Sequence, residues 1–193
     1  MASSYTTSLK IQQMGNGEDS GTWGTITNTN WALIEQAVAG VQSITMANAN
    51  YTLSNLNGIS DEARNMVLII GGTSSVSTTP YNQIVAPLVP KFYVITNNTT
   101  GGNPITIGAS TGSIITVPNG TTVQVYCDGT NFYSAQTSSA GNFLINGNLS
   151  FGAWSVAPSG TKLYFKYNGT NVGSLDSSGN FIALGNVTAY GTP

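Results

Sequence analysis

Between Ile44 and Ser134 the chain breaks into short apolar runs, each closed within a few residues by glycine, proline or asparagine, and this punctuation restricts what it can become. Ile44-Thr45-Met46, Tyr51-Thr52-Leu53, Gln83-Ile84-Val85-Ala86-Pro87, Lys91-Phe92-Tyr93-Val94-Ile95, Pro104-Ile105-Thr106-Ile107, Ser113-Ile114-Ile115-Thr116-Val117, Thr121 to Cys127 and Asn131-Phe132-Tyr133-Ser134 have the length of strands and are too short for helices. Met66-Val67-Leu68-Ile69-Ile70 is continuously apolar and stops at Gly71-Gly72, the pattern of a strand buried on both faces. Asp61-Glu62-Ala63-Arg64-Asn65 reads as a turn or a single helical turn. Strands this short, with turns roughly every 8–12 residues, predict an antiparallel β-sandwich or barrel over 43–135.

The flanks read differently. Residues 1–30 are polar and glycine-rich, with neither helical nor strand period, and are expected to form an extended arm. Trp23 is its apolar anchor, set either against a partner or back on its own domain. A short helix is expected over 31–42: Asn28 or Asn30 can cap it, Trp31, Ile34, Val38 and Val41 recur on one stripe with Leu33 and Ala37 beside it, and Gly40 is a stop. A helix of that length needs a packing surface, which three zipped copies or one covered sheet would supply. After the small, polar stretch Gln136-Thr137-Ser138-Ser139-Ala140, residues 136–193 carry an internal repeat. Residues 139–150 (Ser-Ala-Gly-Asn-Phe-Leu) match 177–188 (Ser-Ser-Gly-Asn-Phe-Ile), and between the copies Lys162 to Leu175 reads as a hairpin with an Asn168-Gly169 turn. A unit so small gains stability by stacking, so 136–193 is expected to be a repeat-built β-stalk.

The side chains offer little chemistry. Charged residues make up 6% of the 193, against about 25% in ordinary domains, and the net charge is −2. Five scattered cations make no footprint for a phosphate backbone, so nucleic acid is not an expected partner. Histidine is absent, which removes the usual general base and the commonest metal ligand. Cys127, the sole cysteine, reads as a buried strand residue with nothing to activate it as a nucleophile. The neighbouring carboxylates Glu18-Asp19 and Asp61-Glu62 point apart and read as turn residues. Gly15 to Gly24 lacks the spacing of a phosphate loop. Asp128-Gly129-Thr130-Asn131 reads as a tight turn, with calcium or a sugar hydroxyl as the ligand alternative. Trp154, Tyr164, Phe165 and Tyr167 suit strand pairing, a trimer core or sugar stacking. No enzyme, cofactor or metal is expected. No secretory leader or run of about 20 apolar residues occurs, so synthesis in the cytoplasm without membrane insertion is expected.

The span from Asp61-Glu62-Ala63-Arg64 through Pro90-Lys91-Phe92-Tyr93-Val94, Asn97 to Gly102, Val117-Pro118-Asn119-Gly120 and Tyr126-Cys127-Asp128-Gly129-Thr130-Asn131 resembles a domain of tail-fibre and tail-spike proteins of tailed bacteriophages. Gly21-Thr22-Trp23-Gly24 with Asn30-Trp31 and Ile34-Glu35-Gln36-Ala37 is similar to the start of such proteins, and Gly185 to Tyr190 resembles repeats that precede distal fibre regions. The resemblance implies a mainly β, homotrimeric virion component. Its N-terminal part docks on another tail protein (adaptor, nozzle or baseplate), with Trp23, Trp31, Ile34 and Val38 as docking and trimer contacts. Its distal part meets the host, with a host surface glycan as a further partner. No distal receptor-binding or self-cleaving chaperone domain follows in this sequence, so anchoring is the expected role. A carbohydrate-binding module of an adhesin or spike, stacking sugars on Trp154 and Tyr167, is the alternative; a depolymerase lacks an acid/base pair.

Overall fold

The computed structural model describes residues 2–135 and 148–185 and divides into two compact units, Met1–Thr137 and Ser138–Pro193. The chain is mainly β, 42% strand with one helix among the described residues, and none of its sheets closes on itself. The first unit opens with a small hairpin of β1 (Ser4–Tyr5) and β2 (Gln12–Gln13), followed by α1 (Trp23–Ala39). Nine strands follow: β3 (Val41–Ala47), β4 (Tyr51–Thr52), β5 (Val67–Thr73), β6 (Gln83–Val85), β7 (Lys91–Asn97), β8 (Ile105–Gly108), β9 (Ile114–Val117), β10 (Thr122–Cys127) and β11 (Phe132–Ser134).

These strands form two sheets, ordered β11-β10-β7-β5-β3 and β4-β6-β8-β9. From β3 to β8 successive strands alternate between the sheets, so this part of the chain winds as a flattened coil, and the hairpins β8–β9 and β10–β11 then each stay within one sheet. One turn carries it from Val41 to its neighbour Val67, and the next from Val67 to Val94. The sandwich-like, two-sheet character matches the sequence expectation. The strand direction is a correction. Antiparallel pairing holds for β7–β10, β10–β11 and β8–β9, whereas β3–β5–β7 and β4–β6–β8 are parallel. Alternation of apolar residues tells which side chains point inward, but it is the same whether the next strand returns beside its predecessor or crosses to the opposite layer. Here the loops are corners that cross over. The inward residues, among them Ile44, Met46, Leu68, Ile70, Ile84, Tyr93, Ile95, Ile105, Ile107, Val125 and Phe132, form one core between the layers.

The corners are built by polar side chains. Asn48, at φ 55°, turns the chain out of β3; its amide N–H donates to Thr73 O at 2.8 Å, and its Oδ1 accepts from Ser75 N at 2.9 Å and Asn82 Nδ2 at 3.0 Å. Gly72, at φ 81°, lies against Met46 of the neighbouring strand so closely that a Cβ there would overlap the Met46 carbonyl. Asn97 ends β7 fully buried: its Nδ2 donates to Val117 O at 3.0 Å and Asn103 O at 3.2 Å, and its Oδ1 accepts from Thr99 N at 3.1 Å and Thr99 Oγ1 at 2.7 Å. A buried amide with all its groups paired specifies a geometry, because any slip of the corner would leave several of them unpaired.

The second unit is one five-stranded antiparallel meander in sequence order, β12 (Leu149–Phe151), β13 (Trp154–Ser159), β14 (Lys162–Tyr167), β15 (Thr170–Asp176) and β16 (Phe181–Ala183). Asn168 and Gly169, at φ 48° and 78°, make the expected hairpin turn between β14 and β15. Cross-strand partners share a face. Phe151 pairs Trp154, which pairs Tyr167; Leu149 pairs Val156, which pairs Phe165; and Pro158, Leu163, Leu175 and Phe181 pair in succession. All these apolar residues therefore occupy one side. Ser155, Ser159, Lys162, Lys166, Ser174 and Asp176 occupy the other, with Tyr164 among them. The first copy of the Gly-Asn repeat, 139–150, lies largely outside the described residues, as do the last residues of the second, 177–188.

Replacing Asn97 by alanine strands the Val117 carbonyl and the Thr99 hydroxyl, and should lower the unfolding free energy by about 2–4 kcal/mol. The neighbouring exposed Asn98→Ala should change it by less than about 0.5 kcal/mol. Urea denaturation of the two variants measures the difference.

Candidate docking surface

Trp23, Trp31, Ile34 and Val38 all lie on α1, which begins at Trp23 rather than at residue 31 and ends at Gly40, whose N–H donates to Gln36 O at 2.9 Å. Residues 1–30 are accordingly not an extended arm throughout. Ser4 and Tyr5 pair with Gln13 and Gln12, and the Gly21-Thr22-Trp23-Gly24 segment is the helix start. The first turns, rich in Thr, Gly and Asn, have poor helix propensity and carry little apolar period, so the sequence hides them. Tertiary contacts hold them instead. Asn30 grips the β2 backbone with both ends of its amide, Nδ2 donating to Gln12 O at 2.9 Å and Oδ1 accepting from Gln12 N at 3.1 Å. Gln36 Nε2 donates to Asp61 O at 2.9 Å.

These bonds, with buried Leu33, define the inner face of α1. At 3.6 residues per turn Trp23, Thr27, Trp31, Ile34 and Val38 fall on a separate stripe. Trp23, Trp31 and Val38 are 64%, 65% and 67% exposed, while Ile34 is half-buried. The structure thus gathers the four sequence-nominated residues on one line, of which Trp23, Trp31 and Val38 are exposed and Ile34 is partly covered. Leu33, read as lying beside that stripe, is the residue that faces inward.

The Asp61–Asn65 turn stages this helix. Asp61 Oδ2 meets Arg64 Nη2 at 3.2 Å with both side chains 1% exposed. Asp61 also accepts from Arg64 N at 2.7 Å and Leu56 N at 2.8 Å. Arg64 in turn donates to Leu9 O at 3.0 Å, Ile59 O at 2.5 Å and Leu56 O at 3.0 Å. Glu62 accepts from the Tyr51 hydroxyl at 2.6 Å and from Ser54 N at 2.9 Å. Burial pushes the Glu62 carboxyl up, and the hydrogen bonds from Ser54 and Tyr51 outweigh it and leave it below the ordinary value. Lys91 Nζ donates to the Arg64 carbonyl and stands 5.0 Å from the centre of the Tyr93 ring. Burial lowers its pKa from 10.5 to about 8, with the Arg64 charge adding to the effect and Asp61 opposing it. Both carboxylates of the pair are therefore engaged as structural acceptors.

The other chemical candidates are similarly tied. Asp128 Oδ1 accepts from Thr130 N at 2.7 Å and Asn131 N at 2.8 Å, the bonds of a tight turn, and these hold its carboxyl below the ordinary range. Asp176 does the same with Ser178 N and Asn180 N, both at 2.9 Å. Cys127 is buried in the core. Among the described residues no three of His, Cys, Asp and Glu gather as a metal site, and no helix is long and apolar enough to cross a membrane. A groove of about 280 Å³ at the ends of β4, β6 and β8 is lined by Leu53, Val85, Pro87, Leu88 and Ser110, none of them titratable. Of the sugar-stacking candidates, Trp154, Phe165 and Tyr167 share the apolar face of the second unit, and Tyr164 lies on the opposite one. The Trp154 and Tyr167 rings are 4.9 Å apart but inclined at 51°, so they do not form one flat platform. Compared with family models, curated proteins and solved structures, the chain matches none.

Arg64→Leu leaves the Asp61 carboxylate buried and unpaired, and should cost about 3–5 kcal/mol of stability by urea denaturation. Lys91 makes a second, pH-linked prediction. Its depressed folded-state value means that the unfolded chain binds more protons above pH 8, so stability should rise with pH in that window. Lys91 is partly exposed, so screening limits the rise to about 1–2 kcal/mol between pH 7.5 and about pH 9.5. Lys91→Met should remove this slope.

Proposed function

We propose that the chain is a structural protein of a tailed-phage virion: a homotrimeric tail-fibre component that anchors to another tail protein through its N-terminal part and carries contact toward the host through a β-stalk built from its C-terminal repeats. The observation that carries the reading is the line of exposed Trp23, Trp31 and Val38, with half-buried Ile34 between them, on a helix whose other face is already fastened to the body. A tryptophan-rich stripe on a rigid, pre-positioned helix is the kind of anchor that dominates protein interfaces. The resemblance of the Asp61-to-Asn131 span and of the Gly21-to-Ala37 segment to tail-fibre proteins supplies the class of partner. Two further features support a mechanical role: the carboxylates of Asp61, Glu62, Asp128 and Asp176 are all engaged in the fold, and histidine is absent.

Labelling particles with antibodies to 20–40 should place the N-terminal part at the tail. Trp31→Glu combined with Val38→Glu alters only exposed positions and should leave the melting temperature unchanged while reducing incorporation into particles at least tenfold. Normal incorporation of the double variant would overturn the docking assignment, and absence of the protein from purified particles would overturn the reading altogether. On a glycan array, saturable binding lost in Trp154→Ala would instead favour the carbohydrate-binding alternative.

A further inference from the structure

Among the described residues of the second unit, no second layer lies over the apolar face of the five-stranded sheet. Among its described residues Ala157 is the only buried hydrophobic side chain, and it lies on the polar side, paired with Tyr164. On the apolar side Phe151 is 61% exposed, Phe181 60%, Trp154 52%, Tyr167 45% and Leu175 39%. A single sheet gains stability only by covering one face. Aromatic side chains carry roughly 150–250 Å² each, so with the leucines beside them these residues offer on the order of 600 Å² of apolar surface. That is at the top of the range of the largest patch on a typical monomer, about 300–600 Å², and approaches the roughly 800 Å² that each partner contributes to a standard interface.

We propose that copies of this chain associate through the apolar face of the 149–183 sheet, rather than through the helix stripe alone. The proposal rests on the reading above that several copies stand side by side. The chemistry of the face selects the occupant. Lys162, Lys166 and Asp176 all lie on the opposite side, so the face holds no charge for a differently charged partner to complement. An apolar surface is complementary to itself, and an identical sheet supplies the missing layer at the usual separation of about 10 Å. Two copies would make a sandwich, and three would make a prism with the aromatic rows inside.

The test uses the full chain carrying one added cysteine, Val156→Cys at the centre of the face or Ser155→Cys beside it on the polar side. Native Cys127 is buried and stays unreactive. After treatment with a short bis-maleimide, Val156→Cys is expected to give covalent pairs in most chains, and Ser155→Cys at least fivefold fewer. Sedimentation of the unmodified chain at micromolar concentration should give two or three subunit masses. Phe151→Glu with Phe181→Glu should give one, with the far-ultraviolet circular dichroism of the first unit retained. An oligomer in which Val156→Cys does not cross-link, or which survives the double glutamate change, overturns this surface and leaves the multi-copy reading standing. A single subunit mass for the unmodified chain overturns both.

Discussion

The buried Asp61–Arg64 pair is the constraint around which the first unit is arranged. An ion pair removed from water recovers little net free energy, because desolvation of both charges opposes their attraction. Its effect is directional. Asp61 accepts from two backbone N–H groups, and Arg64 donates to three carbonyls from Leu9, Leu56 and Ile59. The loop between β4 and β5, which would otherwise carry unpaired backbone into the interior, is closed by these bonds. The turn they fix then offers the Asp61 carbonyl to Gln36 and the Ala63 carbonyl to Tyr93, which seats α1 and β7. With so few charged residues in the chain, two placed 1% exposed at one turn mark where geometry matters most.

The two units solve the burial problem differently. The first folds two sheets over a shared core and pairs the polar groups at its corners through Asn48 and Asn97, so each coil turn is specified by hydrogen bonds as well as by apolar packing. The second is one layer with most of its apolar residues on one side and Lys162, Lys166 and Asp176 on the other, where Ala157, Tyr164 and Ile182 also lie. Such a layer has a well-specified register, since a slip of one residue would exchange its two faces, but it has no core of its own.

Much of this was legible in the sequence. Short runs closed by Gly, Pro and Asn marked the strands of the first unit's two sheets, and Asn168-Gly169 marked its hairpin because that pair favours a type I′ turn. Strands β1, β2, β12, β13 and β16 were not named. Strand direction was not legible. Ile44 and Met46 point inward by alternation alone, whereas the crossing at Asn48 depends on bonds to Ser75 and Asn82, far along the chain. The start of α1 was hidden for a related reason: its first turns are held by Asn30 on Gln12, a contact without helical periodicity. Spacing named Trp31, Ile34 and Val38, but it placed Trp23 in an arm outside the helix, counted Val41 of β3 as helical, and did not tell which side of the helix faces the body. Leu33 is buried while Trp23 and Trp31 are exposed, although all three lie on one helix.

Low charge and open apolar faces belong to the same physical logic. Association removes water from whatever the surface carries, and an unpaired ion at the contact would cost several kcal/mol. Asp61, Glu62, Asp128 and Asp176 already accept hydrogen bonds from within the chain, so none of them needs a partner's cation. Lys162 and Lys166 lie on the opposite side of their sheet from the aromatic rows. What remains for contact is the tryptophan stripe of α1 and the aromatic rows of the meander, both of which can be desolvated without breaking an ion's hydration. With these carboxylates held within the chain and two apolar faces open, the surface is compatible with the assembled role proposed above.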